Sequence, residues 1–585
     1  MTIRPMSNDE VERPIPSQKP VTLWGSDVIA DTLREIELEY VSFNPGASCR
    51  GLQDSIINYL ENSSPKMLLC LHEESAVAIA HGYAKVTGRP MGTLLHSNVG
   101  LMHATMAIFN AWCDRVPIML LGATGPWDAA VRRPWIDWLH TCADQGALVR
   151  DYTKWDNQPA SIEAAREALY RARQIACTAP RGPTYVNLDS AIQEQPATPA
   201  QMARTGQRYA APQVMIPTES TIRETAAILQ GAKQPVILAG RVSRSEIAWQ
   251  ERIALAERLN ARVVTDMKAG AAFPNEHPLY VGPPGVFLEA PVKAAIKSAD
   301  VILSLDWIDL AGAIKQSCGD EACTARIVNI TPDAHSHRGW SMDYQALAPA
   351  EQYLMCEPDP VVTELLKYIA PNNGNAFAMQ PLEQHVTTTH NGIAIGDVGL
   401  ALAHALKDKD YCITRLPLGW HDDVVPFRHP LAYLGLEGGG GVGAGPGLAV
   451  GAALALKGTN RIPVAFMGDG DFLMGITALW TGAHYRIPGL IIVSNNSSYF
   501  IDEGHQERVA ARRDRPVENK WIGQRMENPQ IDILGLARAQ GVDGIRIRSR
   551  ETLNDLMAQA IDRVQNGEFI IVDVAVGDGA ATHLN

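Results

Sequence analysis

The stretch Ile462-Pro463-Val464-Ala465-Phe466-Met467-Gly468-Asp469-Gly470, followed by a helical segment and then by Leu490-Ile491-Ile492-Val493-Ser494-Asn495-Asn496, decides the fold. Two apolar runs of strand length joined by a helical segment are the pattern of buried parallel strands with a crossover helix. Each run ends in a residue able to bind a hard cation, Asp469 after the first and Asn496 after the second, 27 positions on. A carboxylate and an amide oxygen at one edge of a parallel sheet suit Mg2+, and Gly468 and Gly470 let backbone N–H groups approach the phosphates that such an ion bridges. A lone Gly-Asp-Gly is usually a turn; the strand context and the paired Asn make this one a candidate metal site.

Outward from this motif, the 585 residues are 46% hydrophobic and 20% charged, the composition of an ordinary globular protein of about three domains. With 51 Lys+Arg against 64 Asp+Glu the net charge is −13, and no basic run tracks a phosphate backbone, which argues against nucleic-acid binding. No window has the apolar length of a membrane span and the N-terminus lacks a signal-peptide pattern, so a cytoplasmic location is the default expectation. The nine cysteines form no C-x-x-C pair and read as reduced thiols. Residues 1–19 are polar and Pro-rich and are expected to be a disordered tail. A first β/α block, 20–190, ends in the strand Thr184-Tyr185-Val186-Asn187-Leu188; a Gln/Pro/Thr-rich linker is expected at 191–215. A second block, 216–370, has strand-like runs at 235–240, 261–265, 301–305 and 326–330; a polar connection, 371–385, leads to the third block, 386–585. The expected fold is α/β, with three doubly wound parallel-sheet domains.

Upstream, His72-Glu73-Glu74-Ser75 runs into Gly82-Tyr83-Ala84 and Gly88-Arg89-Pro90. Together with the Asp469 and Asn496 motif, this resembles the thiamine diphosphate (ThDP) enzymes of the pyruvate-oxidase and decarboxylase type, from about Val21 to the C-terminus. The resemblance implies N-terminal pyrimidine-binding, middle and C-terminal diphosphate-binding domains. It implies that Asp469 and Asn496 ligate Mg2+ through their side chains and Ser498 through its main-chain carbonyl, with Gly468 and Gly470 against the diphosphate. Family members place the catalytic glutamate nine residues before the glycine of the Gly-Tyr-Ala element, which selects Glu73 over Glu74. Its implied task is a hydrogen bond to N1′ of the aminopyrimidine, favouring the imino tautomer that removes the thiazolium C2 proton. In the glycine run 437–447, Val442 aligns with the apolar wedge that bends the cofactor, Gly441 beside it is a further cofactor-binding candidate, and Gly396-Asp397-Val398-Gly399 matches the other diphosphate-contacting loop.

Within the family, Asn44-Pro45-Gly46, Leu95-His96-Ser97, Asn110-Ala111-Trp112 and Ala478-Leu479-Trp480-Thr481 are most similar to benzoylformate decarboxylases, in which the histidine corresponding to His96 shuttles protons over the thiazolium. Two departures stand out. Ala47 occupies the place of a serine that binds the substrate carboxylate, with Ser48 one position later, and the stretch 304–311 lacks the second active-site histidine. His421, in Gly419-Trp420-His421-Asp422-Asp423, is the candidate replacement. Acetolactate synthases share the string Phe273-Pro274-Asn275-Glu276-His277-Pro278-Leu279, yet residues 304–310 lack the arginines of their FAD-binding stretch, so FAD is not expected. The loop 132–140, with Trp135, Trp138 and His140, falls where these families build the rim of a substrate channel, or else packs against a neighbouring subunit. The resemblance implies a homodimer or homotetramer in which Glu73 of one subunit meets Asp469 and Asn496 of another. The implied activity is non-oxidative decarboxylation of a 2-oxo acid through an enamine, the alternatives being FAD-independent acetolactate formation or cleavage of a 1,2-diketone or acyloin.

Overall fold

A computed structural model describes residues 12–16, 22–202, 206–282, 288–332, 347–371, 377–380, 382, 392–417 and 425–577. Its strands are β1 (Tyr40–Phe43), β2 (Lys66–Leu69), β3 (Met91–Leu95), β4 (Ile118–Thr124), β5 (Trp155–Asn157), β6 (Thr184–Asp189), β7 (Pro235–Ala239), β8 (Arg262–Thr265), β9 (Val301–Leu305), β10 (Arg326–Ile330), β11 (Gln352–Leu354), β12 (Tyr411–Arg415), β13 (Ile462–Gly468), β14 (Gly489–Asn495), β15 (Asp543–Ile547) and β16 (Phe569–Ala575). They form three sheets, in the orders β2-β1-β3-β4-β6-β5, β11-β10-β9-β7-β8 and β12-β13-β14-β16-β15. Every ladder is parallel.

The apolar runs are continuous because both faces of each sheet are covered. Along β4, Ile118 and Leu120 enter one core while Met119 and Leu121 enter another. Val464 and Phe466 of β13 likewise alternate with Ala465 and Met467 between two cores, and Ile237 and Ala239 of β7 with Val236 and Leu238. This is the doubly wound arrangement, with helices on both faces of a parallel sheet.

The first and third sheets are not independent. The helix Glu73–Thr87 crosses the helix Gly445–Leu456 so closely that a Cβ on Gly82 would lie 2.2 Å from the Leu448 carbonyl oxygen, and one on Gly451 would lie 1.9 Å from that of Ile79. Both clashes are with backbone, so no rotamer change relieves them. Val450, Ala453 and Leu454 thereby join the core built on Val77, Ile79 and Ala80. At the neighbouring edge, the Leu69 amide donates to the Tyr485 hydroxyl (2.7 Å) and its carbonyl accepts from the Thr481 hydroxyl (2.9 Å). Glu12, in the N-terminal segment read as a tail, accepts from the same Tyr485 hydroxyl at 2.7 Å.

Replacing Gly451 by Val puts two more carbons against that backbone, beyond the roughly 1–3 kcal/mol of ordinary overpacking. Gly451→Val is expected to lower the melting temperature by about 5 °C or more, the scale such a destabilisation gives in a unit of this size. Wild-type melting by calorimetry would contradict the tight crossing.

Candidate active site

β13 and β14 are adjacent, with Gly468 opposite Ser494, so Asp469 and Asn496 leave the sheet at the same edge. Asp469 is the first residue of the helix Asp469–Met474, 3% exposed. Its Oδ1 accepts the Gly470 amide at 2.9 Å, while its Oδ2 is buried without a hydrogen-bond partner. Burial pushes this carboxyl up to about 6, opposed by amides of Gly470, Ser497 and Ser498. Asn496 Oδ1 accepts the Ser498 amide at 3.0 Å, an Asx turn that leaves the oxygen a second lone pair, and Ser497 between them has φ 54°. The turn is pinned from outside by Met526, whose amide donates to the Ser497 carbonyl at 2.7 Å. A buried carboxylate oxygen with no partner, beside an amide oxygen, fits a divalent cation.

The glycine run reaches the same corner. Gly443 and Gly445 donate to Asp471 Oδ1 at 2.6 and 3.4 Å, and the Arg415 guanidinium lies 2.9 Å from Asp471 Oδ2 and pairs with Glu437. Asp471 thus links the loop of Gly441 and Val442 to the helix that begins at Asp469. On the other side, the Gly438 amide donates to Asp114 Oδ1 (2.8 Å) and the Gly439 amide to Asn110 Oδ1 (2.9 Å). Asp114 also holds His81 and Lys85, each at 3.0 Å; burial would raise its carboxyl, but Lys85 and Lys268 hold it well below the usual range. Val442 itself is 42% exposed in the single chain.

Glu73 and Glu74 open their helix with His72 as cap, its Nδ1 accepting the Glu74 amide at 3.1 Å. The two carboxylates diverge. Glu74 faces Gly443, and burial together with Asp471 pushes it up. Glu73 lies over Gly100, with possible ligand atoms of Glu73, His72 and His103 all within 4.8 Å of one another. Gly100 separates Glu73 from His96: a Cβ there would be 3.2 Å from Glu73 Oε1 and 3.6 Å from His96 Cβ. His96 caps the helix Ser97–Cys113, and its Nδ1 meets the Ser48 hydroxyl at 2.8 Å and the Ser48 amide at 3.5 Å. An amide can only donate, so Nδ1 is the acceptor and the proton of the neutral ring sits on Nε2. Burial, with a smaller repulsion from His140, pushes His96 down to about 4.

The remaining expected residues divide. Asp397 lies in the first turn of the helix Ile395–Ala405, where its carboxylate accepts the Ala394 amide (2.8 Å) and pairs with Arg550 (2.7 Å); Val398 is core, and Gly399 is buried in the same helix. That carboxylate is committed to the cap, leaving the amides of the turn to face an anion. His421 lies outside the described residues. Asp306, in the stretch without flavin-binding arginines, pairs with Arg115 at 2.7 Å. Sequence reasoning missed the roles of Asn110, Asp114 and Asp471; no local signal marks a polar side chain whose partner lies 329 or 324 residues away, as for Asn110 and Asp114, or 28 away, as for Asp471.

Three family models match in order: the thiamine pyrophosphate enzyme N-terminal TPP binding domain at residues 23–148, the central domain at 222–354 and the C-terminal TPP binding domain at 417–574. The chain belongs to the thiamine pyrophosphate (ThDP) enzymes. It is 26% identical over 512 residues to benzoylformate decarboxylase of Pseudomonas aeruginosa, covering 85% of this chain and 89% of that one. It is 23% identical over 587 residues to acetolactate synthase of Bacillus subtilis, covering 94% and 93%. The crystal structure of benzoylformate decarboxylase from Polynucleobacter necessarius superposes with TM-score 0.78 at 22% identity, over 95% of this chain and 99% of that one, and so shares the fold. No helix among the described residues is long and apolar enough to cross a membrane.

The raised carboxyl of Asp469 has a consequence for stability. A carboxyl lifted from 3.8 to about 6 stabilises the fold fully below 3.8, and that contribution is lost as pH rises through 6. Ionised Asp469 therefore burdens the cofactor-free protein at neutral pH. Asp469→Asn is expected to melt higher than wild type at about pH 7.5 in EDTA, with the gap closing towards about pH 4; equal melting temperatures at both pH values would contradict the buried, unpartnered carboxylate.

Proposed function

We propose that this protein is a ThDP- and Mg2+-dependent C–C lyase that decarboxylates a 2-oxo acid in the manner of benzoylformate decarboxylase. The observation that carries the reading is His96, a half-buried imidazole held neutral and oriented by Ser48, one glycine away from Glu73. Bound ThDP supplies a nucleophilic carbon and an electron sink for the breaking C–C bond. Asp469 Oδ2, Asn496 Oδ1 and the Ser498 carbonyl would hold Mg2+, and Gly468 and Gly470, without side chains, would let the diphosphate come close to the backbone. Glu73 would hold a proton at N1′ of the aminopyrimidine, Val442 would form the wedge beneath the cofactor with Gly441 beside it, and His96 would pass on the proton that becomes the aldehyde hydrogen, giving it from Nε2 as Nδ1 takes one from the Ser48 hydroxyl; the proton shed by the departing product's hydroxyl restores the pair. The exposed Val442 and the divergence of Glu73 from Glu74 support a site completed at the interface of a homodimer or homotetramer. Nine free thiols support a reducing, cytoplasmic setting, and the absence of flavin-type arginines in 304–310 supports a reaction without FAD.

A second reading has its own support. Ala47 offers no hydroxyl to a substrate carboxylate, and the Ser48 hydroxyl is taken by His96. That favours cleavage of a 1,2-diketone or acyloin, which carries no carboxylate, with FAD-independent acetolactate formation as the carboligase alternative.

Proton NMR of the enzyme with Mg2+, ThDP, pyruvate and benzoylformate separates the readings: accumulating benzaldehyde supports the lyase, whereas acetolactate or mixed acyloins support the carboligase. Glu73→Gln is expected to retain ThDP while losing at least about a hundredfold in turnover and in C2-proton exchange. An undiminished rate would overturn the assignment of Glu73.

A further inference from the structure

Among the described residues, one imidazole touches His96, and it comes from a loop that the proposed chemistry does not use. His140 lies at the end of the short helix Ile136–Leu139, with its ring edge-on to that of His96, centroids 4.7 Å apart and planes at 87°. Its place is fixed through its carbonyl, which accepts from the Gly125 amide (3.1 Å), the Thr124 hydroxyl (3.4 Å) and the Ser97 hydroxyl. Ser97 directly follows His96 and holds φ 51°, so this anchor also fixes the backbone that carries His96. The Asn98 side chain adds a bond, its Nδ2 donating to the Leu139 carbonyl at 3.2 Å. Gly46 packs directly on the His96 ring, where a Cβ would sit 2.0 Å from His96 Cγ, and Ser48 closes its Nδ1 edge.

We propose that His140 is a positioning residue for His96, bracing the ring that Gly46 and Ser48 also hold and, by mutual exclusion of charge, keeping it neutral, so that Nε2 gives a proton while Nδ1 takes one from the Ser48 hydroxyl. The proposal rests on the role given to His96 above. Two imidazoles in edge contact do not both carry a proton readily, so charge on His140 opposes charge on His96. The other ionisable groups around the pair are few. Glu73 lies beyond Gly100; Cys49, beside Ser48, is a buried thiol pushed up to about 12; and on the His140 turn Arg133 and Asp137 neutralise each other at 2.8 Å. This arrangement supplies a second histidine to a site whose middle-domain stretch 304–311 has none.

The test pairs His140→Gln, which removes the ring and its charge, with His140→Phe, which keeps a flat ring. Imidazole NMR of the ThDP- and Mg2+-loaded enzyme follows His96 through a pH titration, and turnover is measured on whichever carbonyl substrate reacts. In His140→Gln the His96 midpoint is expected to rise by about half a unit or more, because a repulsive neighbour and some burial are both lost. The acid limb of kcat rises with it, and plateau kcat falls about tenfold with KM within twofold, the split expected of a proton-transfer step. His140→Phe is expected to recover most of the plateau rate. A His96 midpoint unmoved in His140→Gln overturns the proposal, as does equal loss in both variants or loss confined to thermal stability. The NMR titration reads His96 directly, so a protein that turns over neither substrate class would sink the proposed activity while leaving the His140–His96 coupling measured.

Discussion

Two helices in van der Waals contact through their backbones set the geometry of everything else. Where Glu73–Thr87 crosses Gly445–Leu456, Gly82 and Gly451 leave no room for a side chain, and the axes approach as closely as main chains permit. One helix begins at the proposed catalytic glutamate; the other follows directly on Val442. A shift in the crossing would move both, which is why a contact that carries no chemistry constrains the chemistry. The core shared between Val77, Ile79, Val450 and Leu454 binds the two domains as one packed body rather than as a hinge.

Around this crossing, buried charge is treated in two ways. Asp114 and Asp471 are surrounded by amides, guanidinium and ammonium groups, so each ties the glycine run to something rigid. Lys85 shows what such burial costs: desolvation pulls its ammonium down to about 8 even beside Asp114. Asp469 differs, because one of its oxygens is buried with nothing to bind. A fold leaves such an atom unpaired at a cost, and a cation recovers it; this is the physical reason to place the metal there.

Much of this was legible in the sequence because it is local. The runs 301–305 and 326–330 became β9 and β10 with those bounds, and the Gly468-Asp469-Gly470 turn sits at the end of β13. The spacing of the family the chain resembles singled out Glu73 over Glu74; in the structure Glu73 lies over Gly100 and Glu74 faces Gly443. The rest depends on long-range pairing. Nothing near Asp397 announces its partner Arg550, β11 is a three-residue edge strand with no pattern of its own, and nothing near His140 announces His96. Such contacts are set by topology, which periodicity does not encode.

The central claim is that the helix carrying Glu73 and the helix following Val442 form one mechanical unit. Native-state amide hydrogen exchange measures this directly, residue by residue, in the intact protein. The account predicts that amides of 76–84 and 448–454 share one opening free energy, among the highest in the chain, and fall together as denaturant is added. Separate openings, with either helix exchanging while the other stays protected, would contradict it.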